Sequence, residues 1–137
     1  MGIERLLEVG IAVRDLDKAI KLFTEVLGLT PGEMEIYEPY KMRFNLCRLG
    51  DVYFELIEPT APEGPIAKFI ETHGEGLHHI ALKVSNIEEI ITQLKEKGIQ
   101  FTEETPLYLQ VSYGRVKFAF ARPESFYGVL LELIEVL

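Results

Sequence analysis

The chain is written twice. Setting EVGIAVRDLDKAIKLFTEVLGL (Glu8–Leu29) against HHIALKVSNIEEIITQLKEKGI (His78–Ile99) brings Val13 onto Val84, 71 positions on, and VRDLDKAI onto VSNIEEII. Farther along, DVYFELIEP (Asp51–Pro59) falls on GVLLELIEV (Gly128–Val136), with Glu55 on Glu132, 77 positions on. A few loop insertions account for the larger offset. A repeat constrains the fold more than any other feature here, because two copies of about sixty residues are marginal alone and must share one core.

Each copy opens on an alternating strand and a polar pair, then runs into a helix. Asp15 and Asn86 suit the N-cap position, since a short polar side chain can accept a bond from an early helical N–H. Leu16, Ala19, Ile20 and Phe23, and likewise Ile87, Ile90, Ile91 and Leu94, fall at helical spacing. The glycines Gly28 and Gly98 mark the two helix ends. About three strands follow in each copy. The spacing thus predicts an α+β fold of two β-α-β-β-β modules sharing one sheet. The expected organisation is a single domain over 1–137, with module one at about 5–59, a linker at about 60–76 and module two at about 77–137. Pro62, Pro65, Gly64, Gly74 and Gly76 frame one short linker helix, from Ile66 to Thr72.

Composition narrows the function classes. A net charge of −8 and a pI near 4.9 argue against nucleic acid, whose phosphates need a basic face. The single cysteine, Cys47, excludes an intrachain disulfide and a thiolate zinc site, and it reads as a packed strand residue. No apolar run reaches eighteen residues, and MGIERLLEVG has neither a signal-peptide core nor the Ser or Thr of a myristoylation signal. The expectation is a cytoplasmic protein without a membrane partner.

Strand alternation sorts the polar residues. In HHIALKV, His78, Ile80, Leu82 and Val84 pack under the helix, while His79, Ala81 and Lys83 face away. In EVGIAV the packed set is Val9, Ile11 and Val13, leaving Glu8, Gly10 and Ala12 on the other face. Glu8 and His79 are therefore matched positions, each followed two residues later by a small residue that makes room. Glu55 and Glu132 are matched inside apolar strands, where a carboxylate is costly unless something pairs it. A pseudo-twofold axis would bring all four together. One imidazole and three carboxylates form a nitrogen and oxygen donor set suited to Mn²⁺, Co²⁺, Ni²⁺, Fe²⁺ or Mg²⁺. Around a divalent ion such a set leaves about one net negative charge, acceptable if one carboxylate leaves the metal to act as a base. Of the remaining histidines, His78 reads as core and His73 as a solvent-exposed linker residue. Glu33, Glu35 and Glu38 in PGEMEIYEP read as a solvated face. Arg43, Arg48, Arg115, Lys117 and Arg122 read as scattered surface charge.

The paired segments, with their two strand glutamates, resemble the vicinal oxygen chelate (glyoxalase/bleomycin-resistance/dioxygenase) superfamily. Within it, GPIAKFIETHGEGLHHIALKVSNIEE and FARPESFYGVLLEL are similar to stretches of the methylmalonyl-CoA epimerase family. The resemblance covers nearly the whole chain. It implies a glyoxalase-like, cupped, eight-stranded mixed sheet around a divalent metal ion, with ligands at Glu8, Glu55, His79 and Glu132. It implies an acyl-CoA or thioester substrate whose α-carbon is inverted through a metal-stabilised enolate, with Glu132 as one proton-transferring group. It also implies a homodimer.

Three departures stand against that pattern. Glu8 occupies a position where the family usually has histidine. YEPYKMRFNLCRLG lacks a plain match for a second acid: Arg43 or Phe44 falls where some members carry one, and Glu38 lies nearby. LYLQVSYGR and Arg122-Pro123-Glu124 replace a glycine-rich turn and a His-Pro-Lys segment. Two alternatives follow, a glyoxalase-I-type (lactoylglutathione lyase-like) isomerase and a non-catalytic binder using Tyr37, Tyr40, Tyr53, Tyr108 and Tyr113. An extradiol dioxygenase is disfavoured, since its iron takes two histidines and Glu8 fills the place of one.

Overall fold

A computed structural model describes residues 2–137. The expected order of strand, helix and three strands is present twice. The first copy is β1 (Ile3–Ala12), α1 (Leu16–Glu25), β2 (Glu35–Tyr37), β3 (Met42–Leu49) and β4 (Val52–Pro59). The linker helix α2 is Pro65–His73. The second copy is β5 (Gly76–Val84), α3 (Ile87–Glu96), β6 (Leu107–Val111), β7 (Gly114–Ala121) and β8 (Leu131–Val136). Single 3-10 turns at Glu38–Tyr40 and Pro123–Phe126 complete the described elements. The strands form one eight-stranded sheet in the order β2-β3-β4-β1-β5-β8-β7-β6. It is mixed: β1 with β4 and β5 with β8 run parallel, and the remaining pairs within each copy run antiparallel. No helix is long and apolar enough to cross a membrane, among the described residues.

The chain falls into two compact units, Glu8–His78 and the segment up to Leu7 together with His79–Leu137. In Glu8–His78, the apolar stripe of α1 packs on one sheet face. Val13, Leu16, Leu29, Cys47 and Leu56 form the buried cluster, with Ala19, Ile20 and Phe23 against it. Cys47 is the packed strand residue expected of it, fully buried, and burial pushes its thiol up, away from the reactive thiolate. In the other unit, Val84, Ile87, Ile90, Ile91, Phe101, Ala119, Ala121 and Leu133 form the equivalent cluster under α3, with Leu94 against it. Both helices turn the side chains that their spacing predicts onto the sheet, Leu16, Ile87, Ile90 and Ile91 fully buried and the others partly so.

The helix starts are less regular. Asp15 caps α1 as expected, its side chain accepting from the Lys18 N–H at 3.1 Å. Asn86 stands at the N-cap of α3 but does not cap it. With φ of 53° its backbone is left-handed, and its Nδ2 donates instead to Glu89 Oε2 at 2.9 Å. The Ile87 N–H donates to Glu135 Oε1 at 2.7 Å, and the Leu16 N–H to Glu58 Oε1 at 3.1 Å. Glu58 and Glu135 are matched positions of the repeat, so the second glutamate of each ELIE segment satisfies a helix N-terminus from a neighbouring strand. Replacing Glu135 by alanine leaves that N–H without its carboxylate. The expected loss is about 1–2 kcal/mol of unfolding free energy, read by denaturant titration. The linker helix is one residue longer at each end than its apolar stretch predicts. Pro65 fits its first turn because that N–H has no helical partner.

Candidate active site

In Glu8–His78, the parallel register of β1 and β4 sets Glu8 across from Tyr53, Gly10 across from Glu55 and Ala12 across from Ile57. These residues share the face turned away from α1, since Cys47 and Leu56 occupy the other one. Leu46 stands opposite Glu55, and Phe44 opposite Ile57, on the same face. Gly10 beside Glu55 leaves room for the carboxylate, as the small neighbours predict. Glu8 is 4% exposed and Glu55 7%, and one carboxylate oxygen of each lies within 4.8 Å of the other. Two acids held that close on an apolar sheet face need a cation or a proton to be tolerated.

In the other unit, the parallel register of β5 and β8 places Ala81 across from Glu132, and β7 places Phe120 on its far side. His79 Nε2 lies 3.2 Å from Glu132 Oε1, and both residues are buried. The Phe120 ring meets His79 edge-on at 5.5 Å between centroids. Phe118, Val116 and Ile134 extend this face as a buried apolar wall. An imidazole and a carboxylate so placed are able to share a proton or to ligate a cation, and packing rather than solvent orients them.

Within each unit, the structure thus brings two of the four predicted site residues together. The other histidines behave differently. His73 is exposed at the end of α2, stacked on Phe69 at 4.7 Å with Thr72 Oγ1 2.8 Å from its Nδ1. His78 is half-buried rather than a core residue, its ring edge-on to Phe69 at 4.9 Å, because α2 covers it only partly.

The three places where a second acid might be sought do not supply one. Arg43 lies on the helix side of β3, bonded to Glu58 and 3.5 Å from Asp17, and the Glu58 carboxylate raises its already high pKa. Phe44 shares the face of Glu55 but is a buried apolar side chain. Glu38 is exposed on the 3-10 turn. Glu35 departs from its expected place in a solvated face. It is half-buried, its Oε2 shielded from solvent, and it stands directly across from Phe44. Strand β2 is three residues long, too short for alternation in the sequence to reveal which side Glu35 takes. Lys117 is held by Glu88 at 2.8 Å, which keeps the Glu88 carboxyl below its ordinary range, and it reaches over the Tyr108 ring beside Arg115.

Comparison with known proteins gives a consistent result. The model for a family described as the Glyoxalase/Bleomycin resistance protein/Dioxygenase superfamily matches residues 8–120. The chain is 36% identical over 131 residues to the uncharacterized protein YqjC of Bacillus subtilis, covering 96% of this chain and 91% of that one. It is 32% identical over 130 residues to the mitochondrial methylmalonyl-CoA epimerase of Bos taurus, covering 94% of this chain and 73% of that protein. The solved structure of a methylmalonyl-CoA epimerase in complex with methylmalonyl-CoA and NH4+ superposes with a TM-score of 0.91 at 25% identity, covering 98% and 95%.

Proposed function

Because the chain belongs to the glyoxalase/bleomycin resistance protein/dioxygenase superfamily, we propose that it is a metal-dependent epimerase of methylmalonyl-CoA or a related acyl-CoA, working as a single domain. The observation that carries this reading is the doubled burial of donors. Glu8 with Glu55 in one module, and His79 with Glu132 in the other, stand at repeat-matched positions inside apolar strands. Relatives named methylmalonyl-CoA epimerase along nearly the whole chain support the same substrate class.

The donor set fits a hard or borderline divalent ion. Glu8, Glu55, His79 and Glu132 would hold it, with oxygen and imidazole ligands and no thiolate. When bound, such an ion supplies Lewis-acid stabilisation of the negative charge that grows on the thioester oxygen. The remaining work belongs to the protein. Glu132 removes the proton alpha to the thioester, and the nearby His79 fixes where its carboxylate points. The apolar wall of Phe118, Phe120 and Ile134 keeps water from competing for that proton. Inversion then requires a second group, which returns a proton to the opposite face of the planar carbon.

Incubating the metal-loaded protein with methylmalonyl-CoA in deuterated water tests the proposal. Deuterium should enter the α-carbon at a rate proportional to enzyme. A protein with bound metal confirmed by elemental analysis that exchanges no α-proton would remove this reading.

A further inference from the structure

The unit that includes His79–Leu137 carries a second concave surface, where α3 ends. Helix α3 stops at Glu96, and Gly98, with φ of 91°, reverses the chain in a backbone region that side chains rarely adopt. The following residues run along the end of β7. The Arg122 N–H donates to the Gln100 carbonyl at 2.8 Å, Phe101 bridges Ala121, and the Thr102 N–H donates to the Phe120 carbonyl at 2.9 Å. An open groove of about 540 Å³ lies between the two ends, lined by Lys95, Gly98, Ile99, Gln100, Phe101 and Arg122. That size is ordinary for a small-molecule site. Its apolar floor, Phe101 with Ile99, belongs to the cluster under α3, whereas Glu132 stands on the opposite face of the sheet beside Phe120. Independently of the epimerase reading, we propose that this groove binds a phosphate monoester with a small organic body.

Charge carries the inference. The chain has a net charge of −8, yet Lys95 and Arg122 line the groove and no acid does. Lys95 Nζ donates to the Glu104 backbone carbonyl at 3.4 Å, and no carboxylate among the described residues pairs with Lys95 or Arg122. The carbonyls at the end of α3, which would repel an anion, are already taken. Leu94 O accepts from the Lys97 and Ile99 N–H groups and Lys95 O from the Gly98 N–H, each at 3.0 Å. A cleft lined by one sign of charge over apolar walls concentrates the field and raises the local density of counter-ions. Arg122 offers a planar fork of N–H donors, Lys95 a compact charge and Gln100 an amide N–H. Such a set suits the three terminal oxygens of a phosphate monoester, with its charge of about −1.5 to −2, better than a single carboxylate. A bare phosphate ion leaves most of the groove empty, so the organic body lies along Ile99 and Phe101.

Phenyl phosphate is the probe, titrated into the full chain and followed by amide NMR spectra and calorimetry. It should bind one-to-one, shift the amides of residues 95–101 and 122, and weaken as salt is added. It should bind more tightly than inorganic phosphate, benzoate or succinate, and equally well with chelator and with excess Mg²⁺. Arg122→Gln should raise Kd by about tenfold or more and Lys95→Gln by about three- to tenfold, as the loss of a charge-assisted bond does. Arg115→Gln removes an exposed cation of β7 outside the groove and should leave Kd unchanged. All three positions are exposed or half-exposed, so the thermal midpoint should hold. Competition identifies where the phosphate comes from. Displacement of the probe by coenzyme A but not by dephospho-coenzyme A assigns it to the nucleotide end of a coenzyme A thioester, and displacement by neither assigns it to a separate metabolite. Equal displacement by both forms would show that the groove does not read the monoester. Shifts that do not saturate in the groove, a Kd unmoved by Arg122→Gln, or tighter binding of benzoate or succinate would each overturn the proposal.

Discussion

Glu132→Gln is expected to slow α-proton exchange by about 10²–10⁴-fold, the range a positioned general base contributes. Glutamine keeps the size of glutamate and an oxygen that can ligate, but it cannot accept the α-proton at neutral pH. The position should be sensitive because Glu132 is 7% exposed and 3.2 Å from His79, so solvent cannot stand in for the lost group. The same residue is proposed as a ligand, which calls for two measurements. Bound metal, titrated calorimetrically, should fall by a smaller factor than the exchange rate. If the rate instead tracks metal occupancy, Glu132 acts only as a ligand, and the base must be sought elsewhere. The buried wall of Phe118 and Ile134 is untouched by the change, so the thermal midpoint of the metal-free protein should move little.

The parts of this protein that the sequence discloses are those governed by periodicity. The 71-residue repeat and the helical spacing of Leu16, Ala19, Ile20 and Phe23 give the module plan, and the helix packs that stripe as read. Alternation also turns Glu55 and His79 to the faces on which they are found, because strands β4 and β5 are eight and nine residues long and keep phase. What escapes is whatever depends on partners distant in sequence. Asn86 looks like a cap by residue type, yet the N–H of Ile87 is taken by Glu135, 48 positions away. Arg43 sits in a strand-like segment with no local sign of its side. Its bond to Glu58 across the β3–β4 pair decides that it turns from the site. Glu35 is the clearest case. Three residues of edge strand do not establish a phase, and only its register against Phe44 shows which face it joins.

Glu8 carries the second large effect, with opposite signs in the two states of the protein. Its carboxylate lies within 4.8 Å of that of Glu55, and both are buried, so without a cation the two repel across a poorly solvated gap. Glu8→Gln should therefore raise the thermal midpoint of the metal-free protein. In excess Mn²⁺ or Co²⁺ the order should reverse, since an ion that binds only the folded state stabilises it by RT ln(1 + [ion]/Kd). Loss of an anionic ligand should weaken the affinity by more than about 100-fold, beyond what an outer-shell change does. Glu8→His separates charge from ligation. It keeps a donor while removing one carboxylate, so binding should shift from Mg²⁺ and Mn²⁺ toward Co²⁺ and Ni²⁺. Differential scanning fluorimetry of the three proteins with chelator and with each ion reads all of these shifts. If Glu8→Gln melts below wild type with chelator and binds Co²⁺ equally well, Glu8 is no ligand. The glutamate in place of histidine is then a packing detail of β1 rather than the element that sets which ion the protein prefers.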